Sequence, residues 1–283
     1  MRPERILFAT DLSYRCDRAL DRTVSLAREW TSRLIVLHAL EAPSPVTDAP
    51  SWRRPHDPRR AAERRIRDDV DGSGAPDVEI DVLVERGEPA PLILDAAARL
   101  GCELIVVGVS RDEAHGSARL GRTIGTVVRG ARVPVLTVKA RARGPYRDVA
   151  VASDFSDHSR RALVTALALF PTATVRLFHA YDVLCESFID DKMSARDSAA
   201  EQAREEGRAF LSGTPAPSAE RVELICEYGS PVSLANDLVQ SAGVDLVVAG
   251  TRGRGRVAEL VLGSVAQELL AKLPGDVMVV PRA

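Results

Sequence analysis

The sequence predicts an α/β protein built from two doubly wound domains, and three observations lead there. The first is a repeat. "ILFATDLSYRCDRAL" begins at residue 6 and "VAVASDFSDHSRRAL" at 149, and "RLIVLHAL" from Arg33 returns as "TVRLFHAY" from Thr174. "VLVERGEPAPLILDAA" from Val82 returns as "ELICEYGSPVSLANDL" from Glu223, and "GCELIVVGVS" from Gly101 as "GVDLVVAGTR" from Gly243. The offset is 143 at Asp11 and Asp154, 141 at His38 and His179, and 142 at Gly87/Gly229, Gly108/Gly250 and Gly121/Gly263, constant enough to be a duplication. The second observation is that short β-branched runs alternate with longer segments of helical period, the pattern of parallel strands joined by right-handed crossovers. The third is that runs such as Leu104-Ile105-Val106-Val107 are continuously apolar, which suits a sheet covered by helices on both faces.

In chain order, strands are expected near 5–10, 33–39, 78–85, 103–107 and 133–138, then near 147–153, 174–180, 221–227, 245–249 and 277–281, with helices in the gaps. Between 41 and 58 stand Pro43, Pro45, Pro50, Pro55 and Pro58. Proline this dense keeps the chain out of helix and sheet and predicts a long surface loop in the first repeat. Residues 190–212 are expected to form a hydrophobic helix opposite the cleft. The linker runs from about Ala140 to Pro145, which sets domains at 1–140 and 146–283, a tether short enough to favour packing of one domain on the other.

At 283 residues the chain fits two domains of ordinary size. Apolar residues make up 45% and charged residues 28%, the balance of a globular protein. A net charge of −2 gives no electrostatic reason for nucleic acid as a partner. No run approaches the length of a membrane span, and the apolar stretch after Met1-Arg2-Pro3-Glu4-Arg5 is too short for a signal-peptide core. Cys16, Cys102, Cys185 and Cys226 are scattered, with no Cys-x-x-Cys. That spacing argues against zinc and against a stapled secreted scaffold, so a reducing cytoplasm is the expected compartment.

In an open parallel sheet, ligands bind beyond the carboxyl ends of the strands where strand order reverses. Asp154 follows the first strand of the second repeat and Gly250 ends the fourth, so the two flank one crevice if those strands are neighbours. Glycines at 250 and 253 would let backbone approach a ligand closely. Gly263-Ser264 then opens a helix to about Leu273, whose unpaired N–H groups favour an anion. Asp154 would repel bare phosphate but accept hydrogen bonds from ribose hydroxyls, so the pair suggests a nucleotide. The competing reading is a flexible loop and a helix capped by Ser264, with Ser13 and Ser156 capping the earlier helices and leaving Asp11 and Asp154 free. His38 and His179 read as packed strand ends with one hydrogen bond each, and His56, His115 and His158 as surface loop positions. No pair has metal-ligand spacing.

The spacing Gly250-x2-Gly253-x9-Gly263-Ser264, preceded by "VASDFS" and "FHAYD", resembles the ATP-binding pattern of the universal stress protein family, and the whole chain resembles its tandem members. That resemblance implies two Rossmann-like domains, each with a five-stranded parallel sheet of order 3-2-1-4-5. It also implies an intramolecular pseudo-dimer paired through Val135 to Val138 and Val277 to Val280. It further implies ATP held by Asp154 on the ribose, the Ala180 backbone on adenine, Gly253 with Ser264 on the phosphates, and Gly250, Gly263 and Val265 beside them. Arg252, in the same stretch, is expected to touch the phosphates of a bound nucleotide. The first repeat keeps Asp11, Gly108 and Gly121, but Arg111 replaces the Gly253 equivalent and Arg122 the Ser264 equivalent. Its site is therefore expected to be weakened or lost, the alternative being that both guanidiniums grip phosphate. In the second repeat Gly275-Asp276 stand in place of Val133-Pro134 before the last strand.

No P-loop and no Gly-x-Ser-x-Gly is present, so no catalytic residue is assigned, and slow hydrolysis with Mg2+ on the phosphates near Asp154 is the most that is expected. The reading is an ATP-binding stress-response regulatory protein with a partner protein that the sequence does not identify. The alternative is a nucleotide-independent scaffold or chaperone-like interaction protein, and an adenylating ligase of similar fold would need a base that is not found. Either a monomer with an internal pseudo-dimer or a homodimer fits.

Overall fold

In a computed structural model that describes residues 2–40, 57–74, 76–109, 121–183, 191–216, 219–251 and 262–282, the boundary between two units falls between Pro145 and Tyr146. The first contains β1 (Arg5–Thr10), α1 (Asp17–Trp30), β2 (Arg33–Leu40), α2 (Pro58–Gly72), β3 (Ile80–Arg86), α3 (Pro89–Arg99), β4 (Leu104–Gly108), α4 (Arg122–Gly130) and β5 (Val135–Val138). Its strands are all parallel, in the order β3-β2-β1-β4-β5. The second contains β6 (Asp148–Ala152), α5 (Asp157–Leu169), β7 (Thr174–Tyr181), α6 (Lys192–Ser212), β8 (Glu223–Tyr228), α7 (Pro231–Ser241), β9 (Leu246–Gly250), α8 (Ser264–Lys272) and β10 (Asp276–Val280). It repeats the order as β8-β7-β6-β9-β10, again parallel.

Right-handed crossovers explain the layers. Strand order runs one way from β1 to β3 and reverses to reach β4, so α1 and α2 cover one face of the sheet while α3 and α4 cover the other. A strand covered on both faces has no polar side to present. Ile6, Leu7 and Phe8 of β1, Leu104 to Val107 of β4 and Leu246 to Ala249 of β9 are accordingly buried without alternation. Each such Leu, Ile, Val or Phe side chain contributes about 1.5–3 kcal/mol on leaving water.

The repeat extends to backbone detail. Gly87 and Gly229 follow β3 and β8 with φ of 147° and 129°, a region that favours glycine, and each lets the chain turn at once into a helix begun by Pro89 or Pro231. Where the repeats diverge, the reason is local. Pro58, counted above with the loop prolines, instead begins α2, because a first-turn proline sacrifices an N–H that has no helical partner, and Asp57 caps the helix by accepting from Arg59 N at 3.0 Å. The expected loop at 41–56 lies outside the described residues. Of Gly275-Asp276, only Asp276 proves to belong to the last strand, as its first residue: it pairs with Leu246, is buried, and accepts a hydrogen bond from the buried Tyr146 hydroxyl at 2.5 Å.

The helix expected at 190–212 forms, but it is not hydrophobic. α6 carries Arg196, Glu201, Arg204, Glu205, Glu206 and Arg208 and buries Ala200, Ala203, Gly207 and Phe210, one narrow stripe at helical spacing. Small residues on that stripe bring the helix close to β8, since a Cβ at Gly207 would stand 2.7 Å from Leu224 Cδ2. Among the described residues no helix is long and apolar enough to cross a membrane.

Candidate functional site

Parallel strands put all their carboxyl ends on one edge of a sheet, so that edge of the second unit collects Asp154 after β6, Ala180 near the end of β7 and Gly250 at the end of β9. The loop after β6 is a compact hydrogen-bonded turn. Ser153 Oγ accepts from Phe155 N at 3.0 Å, and Asp154 Oδ1 accepts from Ser156 N at 3.2 Å and Ser156 Oγ at 2.6 Å. Ser156 then caps α5 by accepting from Ser159 N. His179, from the adjacent strand, donates Nδ1 to Ser153 O at 2.8 Å, which fixes its tautomer.

The first unit writes the same turn with different side chains. Thr10 Oγ1 accepts from Leu12 N at 3.0 Å, Asp11 Oδ1 accepts from Ser13 N at 2.8 Å, and His38 Nδ1 donates to Thr10 O at 2.9 Å. Leu12 and Phe155 share a φ of 60°, a left-handed conformation unusual for bulky residues and held here by the bonds on either side. The expectation that serine caps leave the aspartates free is therefore corrected. Both aspartates accept from the serine two residues on, closing Asx turns, and Ser13 makes no side-chain cap bond. Burial pushes the Asp11 carboxyl up, but the Ser13 bonds and the Cys16 thiol at 3.2 Å outweigh it and bring its pKa below 3.8. Cys16 is pushed up to about 11, chiefly by burial.

Two other expectations change. Gly250 is glycine because the protein's own backbone crosses it: a Cβ there would stand 2.9 Å from His158 O and 3.0 Å from His158 C. His158 accordingly belongs to the first turn of α5, half-buried, and not to a surface loop. Gly108 is less constrained, its nearest neighbours being Cys16 Sγ at 3.3 Å and Cys16 Cα at 3.4 Å. The cap of α8 is Gly263, with Ser264 the first helical residue. Gly263 N donates to Thr251 O at 2.8 Å and Thr251 N donates to Val280 O at 3.1 Å, which anchors the start of α8 at the carboxyl ends of β9 and β10.

A glycine cap supplies no side-chain acceptor, and α8 has no acidic residue in its first turn. Its amino end, with Ser264 and Val265 exposed, therefore offers amide donors to an anion. Gly121 does the same for α4, where Arg122 is exposed at the first helical position. Of the residues expected in the site, Asp154, Ala180, Gly250, Gly263, Ser264 and Val265 lie along one edge, while Arg252, Gly253 and Arg111 lie outside the described residues. Phe155 was missed, although the tetrads Thr-Asp-Leu-Ser and Ser-Asp-Phe-Ser were visible in the repeat and carry the turn's whole hydrogen-bond pattern.

Two copies of one five-stranded unit, each with an aspartate turn and a glycine-led helix where strand order reverses, define a tandem Rossmann-like α/β protein. A model of the universal stress protein family matches residues 3–139 and again 145–281, so the chain belongs to that family as a two-domain member. A universal stress protein of Thermus aquaticus is 34% identical over 141 residues, 48% of this chain and 98% of that relative. Among solved structures, a universal stress protein from Archaeoglobus fulgidus superposes with a TM-score of 0.68 at 20% identity and full coverage of both chains. A functionally unknown protein from Pseudomonas aeruginosa gives 0.68 at 19% identity, covering 99% of this chain and 92% of that one.

Proposed function

We propose that this universal stress protein binds ATP in its second repeat and acts as a regulatory protein whose surface changes with nucleotide occupancy. The observation that carries the reading is the amino end of α8, capped by glycine and fastened through Gly263 N and Thr251 O to the same sheet edge as the Asp154 turn. The donor set fits the group. Amides at a helix start suit phosphate, and the Asp154 carboxylate suits ribose hydroxyls. Ala180 would meet adenine through its backbone, Gly253 would complete the phosphate side by the family pattern, and Arg252 of the same loop would touch the phosphates. Mg2+ would enter with the phosphates near Asp154. In the first repeat, Arg111 and Arg122 replace the glycine and serine of that pattern, so one ATP per chain is expected.

Isothermal titration calorimetry on protein freed of carried-over nucleotide, with and without Mg2+, tests this beside Gly253→Arg, which copies Arg111. One ATP per chain, lost in the variant, is the expected result. Two per chain would mean that the arginines of the first repeat grip phosphate. None would leave the nucleotide-independent scaffold.

A further inference from the structure

Phe155 stands where three parts of the second unit converge. Its ring centroid lies 4.4 Å from the His179 imidazole at an interplanar angle of 33°, and 5.5 Å from the Phe210 ring of α6. Phe210 is buried and carries the Arg160 guanidinium 4.3 Å above its face. Arg160 Nη1 also donates to Phe210 O and Thr214 Oγ1, both at 2.9 Å, so the start of α5 is tied to the end of α6. Gly207, one turn before Phe210, leaves the space that Leu224 and the ring share: a Cβ there would stand 2.7 Å from Leu224 Cδ2 and 3.2 Å from Phe155 Cζ. The ring is thus gripped by β7 and α6, while its backbone is the residue next to Asp154.

The first repeat shows what the ring is not needed for. Leu12 holds the same φ of 60° with the same bond to the preceding hydroxyl, so the left-handed turn forms without an aromatic side chain. The ring adds a mechanical link from that turn to a helix whose opposite face is exposed.

We propose that Phe155 is a positioning residue of the nucleotide site: its ring, wedged between His179 and Phe210, steadies the Asp154 turn and couples it to α6. This rests on the second repeat being the ATP site. Because coupling between two places is reciprocal, whatever orders the Asp154 turn orders α6, and whatever engages α6 alters affinity at Asp154.

Calorimetry with ATP and amide hydrogen exchange test the link on the full chain, comparing wild type with Phe155→Leu, which copies Leu12 and keeps the turn while removing the ring. In the variant without nucleotide, the Ser156 amide should exchange about tenfold faster while β6 amides keep their protection. Its ATP Kd should rise about tenfold. In wild type, ATP should slow exchange along 192–212, an effect the variant loses. Wild-type affinity and unchanged Ser156 exchange in Phe155→Leu would overturn the proposal and leave the ATP reading standing, whereas a wild type that binds no ATP overturns both. If Phe155→Leu does not fold, Phe210→Leu removes the α6 ring that Phe155 meets and is held to the same two readouts.

Discussion

Tyr146→Phe removes one oxygen and leaves the rest of a buried contact in place. The hydroxyl donates to Asp276 Oδ2 at 2.5 Å, with Tyr146 3% and Asp276 1% exposed, so solvent cannot replace the lost donor. The ring packs edge-on against Phe170 with centroids 5.4 Å apart, a contact that phenylalanine preserves. The change therefore isolates a hydrogen bond to a carboxylate, worth about 2 kcal/mol when one partner is removed and the other stays buried. At about 2–4 °C per kcal/mol for a domain near 150 residues, the transition of the second unit should fall by about 4–8 °C. Differential scanning calorimetry of the full chain reads this directly, with Tyr14→Phe as the control, since Tyr14 is 73% exposed and its variant should melt with wild type. A Tyr146→Phe transition within about 1 °C of wild type would refute the argument that this bond fixes the residue after the linker to the last strand.

The other expectations concern cysteines, acid stability and close packing. Cys16 and Cys102 are pushed up to about 11 from 9.0 by burial, which cuts the thiolate available at pH 8 about hundredfold, and Cys226 is raised for the same reason. Peptide mapping after iodoacetamide should find all three labelled slowly in native protein and rapidly in urea, and rapid native labelling would contradict the burial. Asp11 has a folded pKa below its unfolded value of 3.8, so its contribution is complete above about pH 4 and fades as pH falls through the lower folded value. Asp11→Asn should differ from wild type at neutral pH and converge with it in acid-unfolding curves, whereas a difference that persists at the lowest pH would oppose the assignment. Gly250→Ala should cost about 1–3 kcal/mol in urea unfolding and Gly108→Ala less, because the first places a methyl group against His158 backbone and the second against the Cys16 side chain. Equal costs would show that α5 gives way over β9.

Period and repetition made the fold legible. β1 occupies 5–10 as read, because an apolar run entered from charge and left through Thr-Asp has only one way to lie in a sheet covered on both faces. Edges were less legible: β8 begins at Glu223 and not at 221, since Ala219–Arg221 tighten into a 3-10 turn that no periodicity announces. In the site, glycines were read as space for a ligand, but a sequence does not say what occupies the space a glycine leaves. At Gly250 the occupant is the α5 backbone. The same blindness to pairing hid Tyr146, read only as the first residue after the linker until Asp276 met it across 130 residues.

The duplication now separates what the fold needs from what a ligand would need. The hydroxyl-Asp-apolar-Ser turn, the histidine on its carbonyl and the glycine-led fourth helix occur in both units. Features common to both halves, including the one expected to have lost its ligand, provide an anion-facing helix start and an aspartate turn in each and do not by themselves tell the halves apart. What distinguishes the second repeat as the nucleotide site comes from where the halves part: glycine against Arg111, Ser264 against Arg122, and Phe155 with its grip on α6 against Leu12. Transplanting those differences in one direction, second repeat to first, is the sharper experiment, because a gain of ATP binding at Asp11 cannot arise from damage to the fold. Arg111→Gly with Arg122→Ser should raise the stoichiometry toward two ATP per chain, and a stoichiometry that stays at one would show that the first unit lacks something besides its phosphate loop.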